Sequence, residues 1–458
     1  MQTDYNNDGL KDIFVLRGGW KGKFGKTPNS LLRNNGDGTF TDVTKEAGLL
    51  SFHPTQTATW ADFNNDGWLD VFIGNETTPG EELHPCELYI NNKNGTFTEM
   101  AGKAGCAITE FVKGVTSGDY NNDGLTDIFI STLNGRKILL KNECGKGGNI
   151  KFEDVSKQAG LSNNRARTFP TWFWDYDNDG WLDILVCGYE FTGSLAAYAA
   201  AEATGAAVNN AGKVFLFRNK HDGTFEDVSA KVGLNKIAFA MGSNFGDIDN
   251  DGYLDFYLGT GNPSFKSAVP NKLFKNMDGK SFLDITTSAR VGNLQKGHEV
   301  SFADFDNDGN EDIYIKMGGA YPGDAYENSL YLNPGQSDNK WINVLLEGTV
   351  SNRVAIGAKI KVTFKENDIE RSVYRDMNSG GSFGSNPLCQ HIGIGKATSI
   401  EKIEVTWPVT GKVQVFVNPP ILTNIKIKEG DDKLRTYQLN SFNLTKNYSM
   451  KMDNHNTH

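Results

Sequence analysis

Several things are missing from this sequence, and each absence narrows what the chain can be. No run of about 18 apolar residues occurs, so no helix spans a bilayer. The opening residues, MQTDYNNDGL, have neither a basic start nor an apolar stretch, so no secretory leader is visible. Because the chain enters an acidic loop almost at once, the expectation is that its natural N-terminus has been removed. Cysteine is scarce: Cys86, Cys106, Cys144, Cys187 and Cys389 are an odd number without CxxC spacing, so they make neither a zinc site nor a dense disulfide framework. Cys86 and Cys106, the nearest pair, form the one candidate bridge. Catalytic signatures are lacking too, with no GxSxG elbow, HExxH helix or phosphate loop, and the seven His residues do not fall at metal-ligand spacings. No basic or basic-aromatic cluster exists that would track nucleic acid. Long amphipathic helical patterns are rare.

What the sequence has is glycine, 51 residues of it, and aromatics at 11%, with Asn-Asp-Gly clusters punctuating short apolar runs. That is the composition of many short strands joined by tight turns. Six segments share one pattern: DYNNDGLKD, DFNNDGWLD, DYNNDGLTD, DYDNDGWLD, DIDNDGYLD and DFDNDGNED. Their starts are separated by 58, 57, 56, 72 and 57 residues, a period near 57 with one insertion.

Calcium takes six to eight hard oxygen ligands, and acidic side chains at alternate positions of one loop can wrap them around a single ion. The first position is Asp4, Asp62, Asp119, Asp175, Asp247 or Asp304, and the third Asn6, Asn64, Asn121, Asp177, Asp249 or Asp306. The fifth is Asp8, Asp66, Asp123, Asp179, Asp251 or Asp308. The seventh, offering its carbonyl, is Leu10, Trp68, Leu125, Trp181, Tyr253 or Asn310, and Asp12, Asp70, Asp127, Asp183, Asp255 or Asp312 closes the shell at the ninth. Glycine at the sixth position allows positive φ.

An EF-hand would need a glutamate at position 12 between two helices. Here that position is Val15, Ile73, Ile130, Val186, Leu258 or Ile315, inside strand-like runs, so the EF-hand is excluded. Magnesium, which demands a stricter octahedral shell, suits the loops less well than calcium. The bland reading is a set of ordinary turns, since Asp, Asn and Gly suit turns anyway. Charge argues against it. Twenty-one of the 56 acidic residues are loop ligands, leaving 35 against 46 Lys and Arg, so the net charge of −10 arises in the loops. Six calcium ions would bring it close to neutral, and without a cation the clustered carboxylates repel.

About 30 residues after each loop begins, an apolar strand ends in Asn and turns through Gly to Phe, as in SLLRNNGDGTFTDVT (Ser30 to Thr44). Each period therefore reads as four antiparallel strands, the blade of an all-β propeller. In this motif the chain resembles the FG-GAP or VCBS-type repeats also seen in integrin α-chain propellers. SNRVAIGAKIKV (Ser351 to Val362), SGGSFGSNPLCQHIGIGKA (Ser379 to Ala397) and IEVTWPVTGKVQVF (Ile403 to Phe416) resemble the ASPIC/UnbV module of the cartilage acidic protein-like family. The resemblance implies an extracellular calcium-binding propeller of seven blades, although six loops are visible, plus a small β domain, without an agreed catalytic activity. The EGF-like module of animal members is missing. The expected plan is a propeller over 1–340, a β-rich domain over 341–430 and a polar, disordered tail over 431–458. Trp341 to Gly348 is expected to complete the sixth blade.

Strand parity puts the acidic loops and the tight turns on one face and the longer connections on the other, where binding residues tend to gather. Candidates there are Trp20, His53, Glu76, His84, Tyr189, Glu190, His298, Glu299, Tyr321 and Asp324, with a short helix expected in the Ala-rich insertion Tyr189 to Asn210. His298 and Glu299 could be pictured as an acid and base but fit better as the entry to a strand. The functional expectation is a non-catalytic extracellular or cell-surface recognition or adhesion module for a protein or glycan, with about six Ca²⁺. The alternative is a polysaccharide hydrolase or lyase with carboxylates in the central funnel. No nucleic-acid partner and no membrane span are expected, and oligomeric state is not encoded legibly.

Overall fold

The computed structural model describes residues 1–145, 149–190, 195–206, 212–261, 269–318, 326–335, 337–378 and 382–444. Six antiparallel sheets follow one another along the chain. Sheet 2 is typical: Thr55–Ala61, Asp70–Asn75, Glu87–Asn91 and Phe97–Glu99, hydrogen-bonded in sequence order. Sheets 3, 4 and 5 repeat this from Val112, Thr168 and Ala240. The first strand of sheet 1 is only Gln2–Thr3.

Second strands such as Asp127–Thr132 and Asp255–Thr260 are buried along their whole length because neighbouring sheets stack on both of their faces. First strands pack side by side, from Thr55–Ala61 to Val112–Gly118, Thr168–Trp174, Ala240–Gly246 and Gly297–Ala303, around a common axis. The protein is thus a nearly all-β propeller followed by a β domain. In that domain two four-stranded sheets enclose Ile342, Val344, Ile360, Val362, Ile403 and Trp407.

Trp341–Glu347 does not complete the sixth sheet. It pairs antiparallel with Gln390–Gly393 and parallel with Thr423–Lys428, because its alternating Ile342, Val344 and Leu346 face the C-terminal core. The sixth sheet keeps three strands among the described residues: Gly297–Ala303, Asp312–Met317 and Ser329–Tyr331. The segment expected as a disordered tail contributes a strand, Arg435–Tyr437, against Thr423–Lys428. Residues 445–458 lie outside the described residues. The Ala-rich insertion holds the expected helix, Leu195–Thr204. All five cysteines are unpaired, Cys86 and Cys106 lying in one apolar cluster.

Five junctions between successive sheets are closed, and the faces that would make a sixth are not. Leu31, Leu88, Leu139, Leu216 and Leu273, each three residues before the third-strand Asn, are buried, whereas Leu330 is 39% exposed. Phe97, Phe152, Phe225 and Phe282 stand at or next to the start of the fourth strands and are buried, whereas Phe40 is 43% exposed. Val71, Ile128, Ile184, Phe256 and Ile313 are buried, and their counterpart Ile13 is 37% exposed. Sheets 1 and 6 face one another across a cleft lined by Met1, Val15, Glu299, Lys316 and Phe383.

A segment of the C-terminal domain enters the axis. Ser382 donates its N–H to the Thr171 carbonyl and accepts from the Thr171 N–H, Gly384 bridges Val300, and Asn386 bonds Asn244, Phe245, Phe302 and Gln2. One asparagine thereby ties sheets 5, 6 and 1 together. This segment also lines one side of the cleft that contains Glu299 and Lys316.

Candidate metal centre

Each acidic loop joins the first and second strands of its sheet, and two residues in it have positive φ. Glycine at position six lies between 84° and 92°, as expected. Asparagine at position four lies between 54° and 60°, tolerated because its short amide can bond locally. That amide also reaches the next loop: Asn7, Asn65, Asn122, Asn178 and Asn250 donate to the carbonyls of Gly67, Gly124, Gly180, Gly252 and Gly309 at 2.8–3.2 Å. The loops form a chain, each locking its successor. At its end Asn307 donates to the Asn440 carbonyl and the Phe442 N–H to the Asp306 carbonyl, so residues beyond the β domain stand where a following loop would.

In every loop the first Asp is held by the N–H groups of positions five and six at 2.7–3.1 Å. The ninth Asp accepts the N–H of the third-strand asparagine, Asn34, Asn91, Asn142, Asn219, Asn276 or Asn333, at 2.7–2.8 Å. From sheet 2 onward the same asparagine donates its amide to the eighth loop residue and to the second residue of the preceding loop, for example Asn276 to Leu254 and Tyr176. This asparagine thus ties each acidic loop to its neighbour; the sequence signal was the recurring strand-ending Asn.

The six loops fall into two classes. In the first three, position three is an Asn whose amide donates to the fifth-position carboxylate at 2.8–3.0 Å. In the last three it is Asp, and acidic oxygens converge: Asp175, Asp177 and Asp183; Asp247, Asp249 and Asp251; and Asp304, Asp306 and Asp308 each bring ligand atoms within 4.8 Å of one another. In these loops one buried oxygen of Asp177, Asp249 and Asp306 has no hydrogen-bond partner. Three carboxylate clusters, each with one unsatisfied buried oxygen, fit a hard divalent cation.

Burial, reinforced by neighbouring carboxylates, pushes Asp4 and Asp12 up to about 6 and Asp62 to about 7, and raises Asp70, Asp127, Asp175, Asp183 and Asp255 well above the usual range. The repulsion inferred from sequence is partly offset by the protein's own cations. Arg218 pairs with Asp177 and Asp179 at 2.6 and 2.8 Å, Lys275 with Asp249, Lys359 of the β domain with Asp119, and Lys93 with Asp66. Among the described residues, none pairs with loop six.

On the opposite face the candidates divide. Trp20 is 43% exposed; its backbone N–H donates to the Glu76 carboxylate and its ring stacks on Phe169 at 5.6 Å, beside Tyr189. Beneath it lies a pair the sequence reading missed: Lys113, fully buried, bonds Glu76 and Gln56 with its ammonium 3.1 Å from the Trp20 ring centroid. A lysine in the strand FVKGVTSG, otherwise of small and apolar residues, was the available signal. Burial pulls the Lys113 ammonium down and pushes the Glu76 carboxyl up, while each group opposes the other's shift. Lys113→Met, which strands a buried carboxylate, is expected to cost about 3 kcal/mol in denaturant unfolding, and a Lys113→Met/Glu76→Leu double variant to recover most of it.

His53 and His84 meet each other, and Glu190 lies 3.8 Å from Arg167. His298 and Glu299 belong to the first strand of sheet 6, as the bland reading had it. Tyr321 and Asp324 lie outside the described residues.

Residues 4–73, 77–130 and 203–258 match the FG-GAP-like repeat, and residues 348–434 match the ASPIC and UnbV domain. Cartilage acidic protein 1 of Mus musculus is 25% identical over 285 residues, covering 61% of this chain and 38% of that protein; the Homo sapiens protein gives 25%, 61% and 37%. The matched region is thus well under half of these relatives. Among solved structures the Dos1 propeller is similar with a TM-score of 0.34 and 11% identity, over 81% of this chain and 71% of the other. A Trypanosoma rangeli sialidase in complex with sialic acid gives 0.36, 11%, 72% and 52%. Scores this low carry no argument about ligand or chemistry.

Proposed function

Because the chain carries FG-GAP-like repeats and an ASPIC/UnbV domain and is homologous to cartilage acidic protein 1, we propose that it is a calcium-loaded recognition module working outside the cell or at its surface. The observation that carries this reading is the division of labour between the two faces. One face holds six chained acidic loops, which calcium stiffens by replacing repulsion with ligation. The other presents half-exposed Trp20 on a rigid base of Phe169, Tyr189 and the buried Lys113–Glu76 pair. An exposed aromatic fixed from below gives a protein or glycan ligand a large contact at little entropic cost. Extracellular calcium modules bind with Kd of about 10⁻⁴–10⁻³ M, which suits partly neutralised loops.

The test is ligand capture by the calcium-loaded protein on glycan and extracellular-protein arrays, with Trp20→Ala as comparison. Trp20→Ala is expected to weaken the captured ligand at least tenfold without changing the melting temperature by more than a few degrees. Release of shortened glycan products would show an enzyme instead.

A further inference from the structure

His53 and His84 are far apart in sequence and meet on the face opposite the acidic loops. Their Nδ1 atoms are 2.9 Å apart, with the rings steeply inclined at 68°. At that separation one nitrogen holds the shared proton and the other aims a lone pair at it. Both residues are fixed before any ligand arrives. Each precedes a proline, Pro54 or Pro85, which restricts its backbone to extended conformations. The Pro54 carbonyl accepts from the Glu76 N–H at 2.8 Å, and the Pro85 carbonyl from the Asn75 amide at 2.8 Å. His84 is clipped twice by Thr77, whose hydroxyl accepts its N–H and donates to its carbonyl. Glu82 stands two residues before His84, exposed and paired with Lys26. Lys26 holds the Glu82 carboxyl below its ordinary value, with a smaller contribution from His84 and His53.

We propose that His53 and His84, joined by Glu82, form a second class of metal site that takes one zinc-type divalent ion. Two imidazole nitrogens bound tetrahedrally at about 2.0–2.1 Å are about 3.3 Å apart, so the pair opens by a few tenths of an ångström and the rings turn until both lone pairs meet the ion, the shared proton leaving to solvent as that ring takes one on its far nitrogen. Glu82 leaves Lys26 to become the third ligand, and water completes the shell, the two-His, one-Glu set that zinc accepts. Selectivity follows from donor type: imidazole suits zinc, copper or nickel, whereas the oxygen-only loops suit calcium. The seven-residue strand Thr55–Ala61 separates the two kinds of site by roughly 20 Å, so they fill independently.

The experiment is a calorimetric Zn²⁺ titration of the full chain in saturating calcium, so that the acidic loops are already filled. One equivalent is expected, with His53→Gln and His84→Gln each abolishing it and Glu82→Gln weakening it about tenfold. Calcium content should be unchanged in all three. Co²⁺ should give a visible spectrum of nitrogen-ligated tetrahedral metal that His53→Gln removes. If His84→Gln lowers the melting temperature, half-exposed His53 carries the test. No zinc uptake at calcium saturation, or an undiminished equivalent in His53→Gln, overturns the proposal.

Discussion

Metal-free protein at pH 8 is expected to melt on the order of 10 °C or more below calcium-loaded protein, and the gap is expected to shrink at pH 5. A ligand at about ten times its Kd adds about 1.4 kcal/mol per site, and the chained loops place six sites in one cooperative unit. The pH term follows from the loop carboxyls. Asp4 and Asp12, at about 6, and Asp62, at about 7, are raised mainly by burial, from near 4 in the unfolded chain. A raised folded value means that the metal-free fold binds extra protons. The associated stability is full below pH 4 and is lost as pH rises through 6 to 7. Calcium replaces those protons, so its stabilisation grows over the same window. Differential scanning calorimetry of dialysed protein, with and without calcium, measures both. A gap that is flat from pH 5 to 8 would mean that the loop carboxyls are not the coupled groups.

Phe97→Ala is expected to cost 3–5 kcal/mol, the loss usual for a buried aromatic, while Phe40→Ala costs no more than about 1 kcal/mol. The two phenylalanines hold the same place in successive repeats. Phe97 packs with Tyr5, Val43 and Ala47 of the preceding sheet, whereas Phe40 faces the uncovered side of sheet 1. Leu330 should likewise tolerate Ser far better than Leu88. Urea unfolding of the four variants tests the open junction. Equal losses at Phe40 and Phe97 would show that something covers sheet 1 in solution.

Much of this fold was legible in the sequence because it repeats. Asp at one, five and nine, Gly at six and an apolar twelfth position recur six times, and a single loop would have been an ordinary turn. The turn-bound Asn at the end of each third strand was visible as a pattern, but its role was not, since its partners Tyr5, Phe63, Tyr120, Tyr176 and Ile248 belong to the neighbouring repeat. Trp341–Glu347 was misplaced because strand propensity says nothing about which sheet a strand joins; its alternating face matched the C-terminal core. Nor could linear reading bring His53 to His84, or show that Ser382, Gly384 and Asn386 would enter the propeller axis, since such convergence depends on how complete sheets stack. The Lys113–Glu76 pair was hidden for the same reason, one partner standing in a strand of sheet 3 and the other in a loop of sheet 2.

The most direct measurement is a count of calcium bound to purified, folded protein by metal analysis after equilibrium dialysis, repeated for an Asp177→Asn/Asp249→Asn/Asp306→Asn variant. About six ions per chain are expected at millimolar calcium, with the variant holding its last three more weakly. A fully folded protein that retains no calcium under those conditions would contradict the account.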